Sequence, residues 1–153
     1  MIPVRRLNHA VLYVADLKRS VAFYTEIFGF KVVAEQGPMA FLRASGSDNH
    51  HDLGLFSLGS DALPRRGSTE LYHLAWEVPG IADLARAREA LMAAGAFVGE
   101  SDHGATKSVY GIDPDGHEFE LMVLLPRSEW GPYESKAPVM PLDWDRELKR
   151  AAR

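Results

Sequence analysis

The stretch LNHAVLYVADLKRSVAFYTEIFGFKVV (7–33) finds a counterpart in LYHLAWEVPGIADLARAREALMAAGAFVG (71–99), and this pairing decides the fold. Both begin Leu-x-His, place a Val five residues after the histidine (Val14, Val78), pass through a turn and a helical pattern, and close on a glycine (Gly29, Gly95). The histidines are 64 residues apart and the closing glycines 66, so about two residues are inserted between them in the second copy. Self-similarity at such a period marks a repeated architecture. Around His9 apolar residues alternate as in a strand. Asp16 can then cap a helix whose Val21, Tyr24, Ile27 and Phe28 share one face, with Gly29 as its left-handed stop. The second helix turns Leu84, Ala87 and Leu91 inward and stops at Gly95.

Three short β-type runs follow each helix: FKVVAE, AFLRAS and DLGLFSL, then AFVGE, KSVYGID and EFELMVLL. Each half therefore reads β-α-β-β-β, an α+β chain of two modules over 1–60 and 71–125. The polar, Pro/Gly/Ser-containing stretch 61–70 has linker character. From 126 to 153 a Pro-rich extension ends in a short charged helical pattern. Its Trp130, Tyr133, Met140 and Trp144 are too many large apolar groups for a disordered tail, so it should pack on the body or on a neighbour.

Composition narrows the function. The 153 residues suit one compact domain or two small modules, with 46% hydrophobic and 25% charged residues. The net charge is −4 and the basic residues are scattered, which disfavours nucleic acid as a partner. No run of about 18 apolar residues predicts a membrane span, and the N-terminal pattern is not that of a signal peptide, so a cytoplasmic location is expected. The chain has no cysteine, so a metal would be held by nitrogen and oxygen ligands, favouring iron, manganese, zinc or nickel.

The repeat places His9 and His73 at equivalent positions on first strands, where internal symmetry would bring them together. Glu120, in HEFELMV, points to the opposite face from Phe119 and Leu121. A carboxylate within so apolar a strand is costly unless paired or metal-bound. His9, His73 and Glu120 are therefore the candidate metal ligands. Glu118 shares the face of Glu120 but lies nearer the turn, within reach of solvent. A lone strand histidine is more often structural than metal-binding; the matched pair with the glutamate reverses that weighting.

With these residues in view the chain resembles the vicinal-oxygen-chelate superfamily of glyoxalases, fosfomycin-resistance enzymes and extradiol dioxygenases. The resemblance rests on NHAVLYVADLKRSVAFYTEIFGF, LYHLAWEV and DPDGHEFEL, spread over residues 7–124. It implies paired βαβββ modules forming a cupped mixed sheet around a metal held by His9, His73 and Glu120, and a homodimer. Glyoxalases use a fourth ligand, a glutamate on a late strand of the first module. Here Leu53 and Leu55 are expected at that place, with Asp52 a substitute only if the register shifts.

Three ligands on one face of a metal suit a non-heme Fe(II) oxygenase. The stretch NHHDLGLF resembles the place of an acid–base histidine in extradiol enzymes, with His51 the better candidate and His50 turned to solvent. The order His103, Tyr110, Glu120 resembles their later motif. The resemblance implies a ring-cleaving dioxygenase acting on a catechol-type diol with dioxygen, using Fe(II), with Mn(II) or another divalent metal as the alternatives. His51 would serve as base and then acid, Tyr110 would hydrogen-bond the substrate oxygen, and His103 would lie over the oxygen site. His117, after the DPDG turn, is expected to be exposed. Trp76 and Phe41 either line an aromatic pocket or pack in the core.

The rivals are a fosfomycin-resistance or glyoxalase-type metalloenzyme and a metal-free binding protein of the same fold. The first needs a basic cluster for a phosphonate, for which Lys107 and Arg43 are the evident candidates.

Overall fold

Asp16 caps the first helix as its sequence predicts: its carboxylate accepts from the Arg19 amide at 3.1 Å, opening α1 (Leu17–Glu26). In this computed structural model, which describes residues 2–59 and 71–152, the helix buries Ser20 and Tyr24. Tyr24 gathers Phe23, Phe28 and Phe30 into one aromatic cluster, with ring centroids 5.2–6.2 Å from its own. Gly29 (φ 67) turns the chain back from the helix, a conformation that costs glycine nothing.

The chain divides into two compact units, Met1–Gly67 and Ser68–Arg153; the predicted linker 61–70 lies outside the described residues. In the first unit β1 (Ala10–Val14), β2 (Lys31–Gln36), β3 (Met39–Arg43) and β4 (Leu53–Ser57) form a sheet of order β1-β4-β3-β2. The first and fourth strands run parallel and the others antiparallel. Alternation within β3 and β4 buries Ala40, Leu42, Leu53 and Leu55 completely.

The second unit repeats this plan with β5 (His73–Glu77), α2 (Ile81–Ala93), β6 (Phe97–Asp102), β7 (Thr106–Ile112) and β8 (Glu118–Leu124), in the order β5-β8-β7-β6. Leu84, Leu91, Val109, Phe119 and Leu121 form its core. Ala87, read as inward, is only half-buried. The repeat reaches into detail. A bulge interrupts the pairing between Val32 and Ala34 in the first copy and between Phe97 and Gly99 in the second.

The turn into β8 is tied by Asp113. Its carboxylate accepts from the Asp115 and His117 amides, both at 2.9 Å, while Gly116 adopts φ 85. His117 also reaches Asp113 Oδ2 at 2.9 Å and is half-buried rather than exposed, because the turn folds its ring back onto that carboxylate.

The extension beyond β8 packs on its own second unit. Two short 3₁₀ turns (Arg127–Glu129, Gly131–Glu134) lead to α3 (Trp144–Ala151), capped by Asp143. Trp130 donates to the Leu125 carbonyl (2.8 Å) and Trp144 to Glu100 (3.1 Å). The Arg88 guanidinium lies over both Phe97 and Trp144. No helix among the described residues is long and apolar enough to cross a membrane.

Candidate functional site

In the first unit the parallel pairing of β1 and β4 brings the segments that precede them side by side. The Ala10 amide donates to the Asp52 carbonyl (3.0 Å), and the His9 and His51 ring centroids stand 4.5 Å apart. His9 lies one residue ahead of β1 and is exposed, with Nδ1 2.9 Å from Asn8 Oδ1. His51 is half-buried, edge-on to Phe41 at 5.0 Å, and its Nδ1 is 3.1 Å from that of exposed His50. Burial, and then the neighbouring His9 and His50, hold the His51 imidazole below its ordinary pKa. It is therefore a neutral ring with a lone pair to offer at neutral pH.

Asp52 fastens the loop that carries these histidines. It accepts from the Ala44 amide (2.8 Å), Ser47 Oγ (2.7 Å) and Asn49 Nδ2 (2.7 Å). Burial alone would raise its pKa, but these donors hold it below the usual carboxylate value. Asp52 is thus committed to the loop.

In the second unit His73 is the first residue of β5 and faces the carboxylates of β8. Its Nε2 is 3.1 Å from Glu120 Oε2 and its Nδ1 is 3.7 Å from Glu118 Oε1. His73 Nδ1 is buried without a hydrogen-bond partner. Glu118 keeps the solvent access expected of it, its side chain 24% exposed against 12% for Glu120, and its hydrogen bond with nearby Tyr72 and its charge raise the pKa of that tyrosine. Tyr110 is the register partner of Glu120, and its ring centroid is 5.9 Å from that of His73. Burial first, then the Glu120 carboxylate, push its hydroxyl up to about 12, so it stays protonated. Tyr110 Oη lies 2.7 Å from His103 Nε2. His73 with Glu120, and Tyr110 with His103, thus form two polar pairs set side by side by the rung that joins Tyr110 to Glu120.

The registers also show what the first unit lacks. Ala75 pairs with Glu120 on β8, and the corresponding first-strand residue Val11 pairs with Gly54 on β4. The place matching Glu120 is therefore Gly54. Leu53 and Leu55, expected there, match Phe119 and Leu121 and point into the core with them. On the neighbouring strands Phe41 pairs with Gly54 where Tyr110 pairs with Glu120. Glycine and phenylalanine thus replace glutamate and tyrosine, and the polar donors are concentrated in the second unit.

Among the described residues no three histidine or carboxylate side chains come together closely enough to hold a metal. His73 and Glu120 nonetheless fit two ligand positions. Donors about 2.1 Å from a metal and at right angles stand about 3 Å apart, close to the observed spacing. Glu118, facing the other ring nitrogen, is placed to orient the imidazole. Two signals escaped the sequence reading. Tyr72 stands beside His73 in LYH and could have been weighed; the Pro138 carbonyl, 2.7 Å from His103 Nδ1, carries no residue signature.

Each unit repeats the βαβββ plan, with a histidine at or just before the first of its parallel strands. The chain belongs to the glyoxalase/bleomycin resistance protein/dioxygenase superfamily, whose pattern matches residues 6–121. It is 33% identical over 126 residues to the catechol-2,3-dioxygenase of Bacillus subtilis (strain 168), covering 81% of this chain and 43% of that protein. It is 31% identical over 124 residues to the metallothiol transferase FosB of Lysinibacillus sphaericus (strain C3-41), covering 77% and 82%. The crystal structure of a glyoxylase/bleomycin resistance protein/dioxygenase domain from Frankia sp. EAN1pec superposes with a TM-score of 0.70 at 25% identity, covering 80% of this chain and 99% of that one. This chain thus spans under half the length of the Bacillus dioxygenase.

Proposed function

We propose that the protein is a metal-dependent extradiol dioxygenase that opens the ring of a catechol-type diol with dioxygen. The observation that carries this reading is the cluster of His73, Glu120, Tyr110 and His103, because it sets two metal-type donors beside a protonated hydroxyl and an imidazole. Likeness to a catechol dioxygenase adds to it. The metal reading takes His73 and Glu120 from the second unit and His9 from the first, with Fe(II) or Mn(II) as the ion and a homodimer as the assembly. Fe(II), when bound, supplies the redox centre at which the diol and dioxygen meet.

The chain's own residues handle protons and charge. His51, neutral at working pH, takes a proton from a catechol hydroxyl and later returns it. Tyr110 keeps its proton, which faces His103, so its oxygen hydrogen-bonds the substrate as the acceptor from a catechol hydroxyl.

The phosphonate-transferase reading is less well supported despite the FosB likeness. Lys107, its main candidate cation, is only 4% exposed and donates to Asp102 (2.6 Å) and the Gly104 carbonyl (2.8 Å). Arg43 is half-buried against the carbonyl of Asn49.

The test is oxygen uptake by protein reconstituted anaerobically with Fe(II), offered a panel of substituted catechols, with His73→Ala as control. Uptake with a ring-opened product, lost in the variant, is expected. No uptake with any catechol, together with thiol transfer that needs no oxygen, would overturn the dioxygenase reading.

A further inference from the structure

The C-terminal extension is joined to the second unit around one residue at the end of β6. Asp102 exchanges both backbone hydrogen bonds with Met140, at 2.8 and 3.0 Å, making one antiparallel rung. Its carboxylate, 2% exposed in the folded chain, accepts from Lys107 Nζ (2.6 Å), the Gly104 amide (2.7 Å) and Arg146 Nη2 (2.7 Å) of α3. A buried carboxylate satisfied by three donors is a firm anchor, since losing any of them leaves charge uncompensated. Arg146 also pairs with buried Glu147, which meets Arg150. Nearby, the Tyr133 ring lies against Gly104, where a Cβ would collide with it; Gly104 also adopts φ +79. Residues 133–140 are thereby strapped across the turn that carries His103.

This strap meets His103 at an atom that matters. The Pro138 carbonyl is an acceptor only, so the 2.7 Å contact requires the proton of the neutral imidazole to sit on Nδ1. Nε2 is then the bare nitrogen, and the 2.7 Å contact to Tyr110 has the hydroxyl donating into the ring. Without such a partner, a histidine ring in water favours the opposite tautomer, with the proton on Nε2. A cleft of about 390 Å³ opens beside the same imidazole, lined by Thr106 of β7 and by Tyr133 and Lys136 of the strap among others.

We infer that the C-terminal extension is a positioning element of the site: its Pro138 carbonyl selects the Nδ1–H tautomer of His103 and thereby sets the direction of the Tyr110 hydroxyl. Tyr133 and Arg146 act through this carbonyl and are positioning residues. The catalytic meaning of the tautomer rests on the dioxygenase reading; the tautomer itself does not.

The experiment is nitrogen-15 NMR of the histidine rings in the full, metal-free chain, with the His103 signal assigned by its loss in His103→Gln. The wild-type ring is expected to carry its proton on Nδ1. In Tyr133→Ala and Arg146→Ala, which loosen the strap without touching His103 or Tyr110, the Nε2–H form should rise to half or more. A shift in either folded variant supports the inference. A wild-type ring protonated on Nε2, or an unchanged ring in both variants, overturns it. In the Fe(II)-loaded enzyme the same variants should lower kcat for ring cleavage about tenfold, the lower end of what losing an orienting partner costs. Failure of ring cleavage altogether would strike the dioxygenase reading and leave the NMR result standing.

Discussion

Tyr110 and Glu120 face each other across the β7–β8 ladder, and the matching rung of the first unit pairs Phe41 with Gly54. One repeated topology therefore carries polar groups at this rung in one copy and apolar ones in the other. The Tyr110 hydroxyl contacts the His103 imidazole, and burial together with the nearby Glu120 charge keeps it protonated. A protonated hydroxyl beside two metal-type donors is a group placed to hydrogen-bond, and it can be removed without changing the ring that packs around it.

Tyr110→Phe should therefore separate chemistry from packing. The ring stays, and the variant loses the hydroxyl and leaves His103 Nε2 without its partner. A stability loss of about 1 kcal/mol is expected in a denaturant melt. In the catechol assay kcat should fall by about 100-fold, as for loss of a positioned hydrogen-bonding group, with KM little changed. A KM rise at unchanged kcat would mean that Tyr110 only binds substrate.

The repeat was legible because each helix and strand declares itself by period and punctuation. Asp16, Gly29 and Gly95 do in the structure what their residue types predict. The order His103, Tyr110, Glu120 was legible too, and within the second unit these residues meet through adjacent strands. Strand register was not legible to the residue. Gly54 rather than Leu53 or Leu55 matches Glu120, because a one-residue slip reverses which side chains face the core. His117 was misplaced for a different reason: the sequence shows a turn, but not that Asp113 reaches back to its ring. The contact of Pro138 with His103 uses a backbone carbonyl across 35 residues, and no side-chain pattern announces it.

Removing the metal donors should grade the roles of the two glutamates. Glu120→Ala deletes a proposed ligand and should abolish tight binding of Fe(II) or Mn(II) in titration calorimetry. Glu118→Gln leaves both proposed donor atoms in place and disturbs only the group facing His73 Nδ1. Its expected cost is about 10–100-fold in affinity. Equal losses from the two variants would place Glu118 among the ligands.

The His51 loop should depend on pH through Asp52. Its donors depress the carboxyl below the unfolded value of 3.8, so the folded state binds its proton less readily than the unfolded chain. The resulting stability is present above 3.8 and is lost as pH falls through the lower folded value. Asp52→Ala should lower Tm clearly at pH 7, with the gap to wild type shrinking in acid below pH 3.8. A gap independent of pH would show that the carboxylate charge contributes nothing and only its packing counts.

Gly111 tests the packing that holds β7 against β8, with Gly46 in the first unit as its unhindered control. At Gly111 an added Cβ would stand 2.5 and 2.8 Å from the Phe119 ring and 2.9 Å from the Ala96 carbonyl oxygen. The backbone contact cannot be relieved by a rotamer change, and Phe119 is itself core. Gly111→Ala should cost about 1–3 kcal/mol, as overpacking typically does. Because Tyr110 precedes it on the same strand, that displacement should also weaken ring cleavage. At Gly46 nothing lies within 4 Å of the added atom and φ is not positive, so Gly46→Ala should change stability by no more than about 0.5 kcal/mol. Denaturant midpoints of the two variants measured together decide the matter. A Gly111→Ala protein as stable as wild type would mean that Phe119 and the β6 side of the sheet yield more readily than their burial implies.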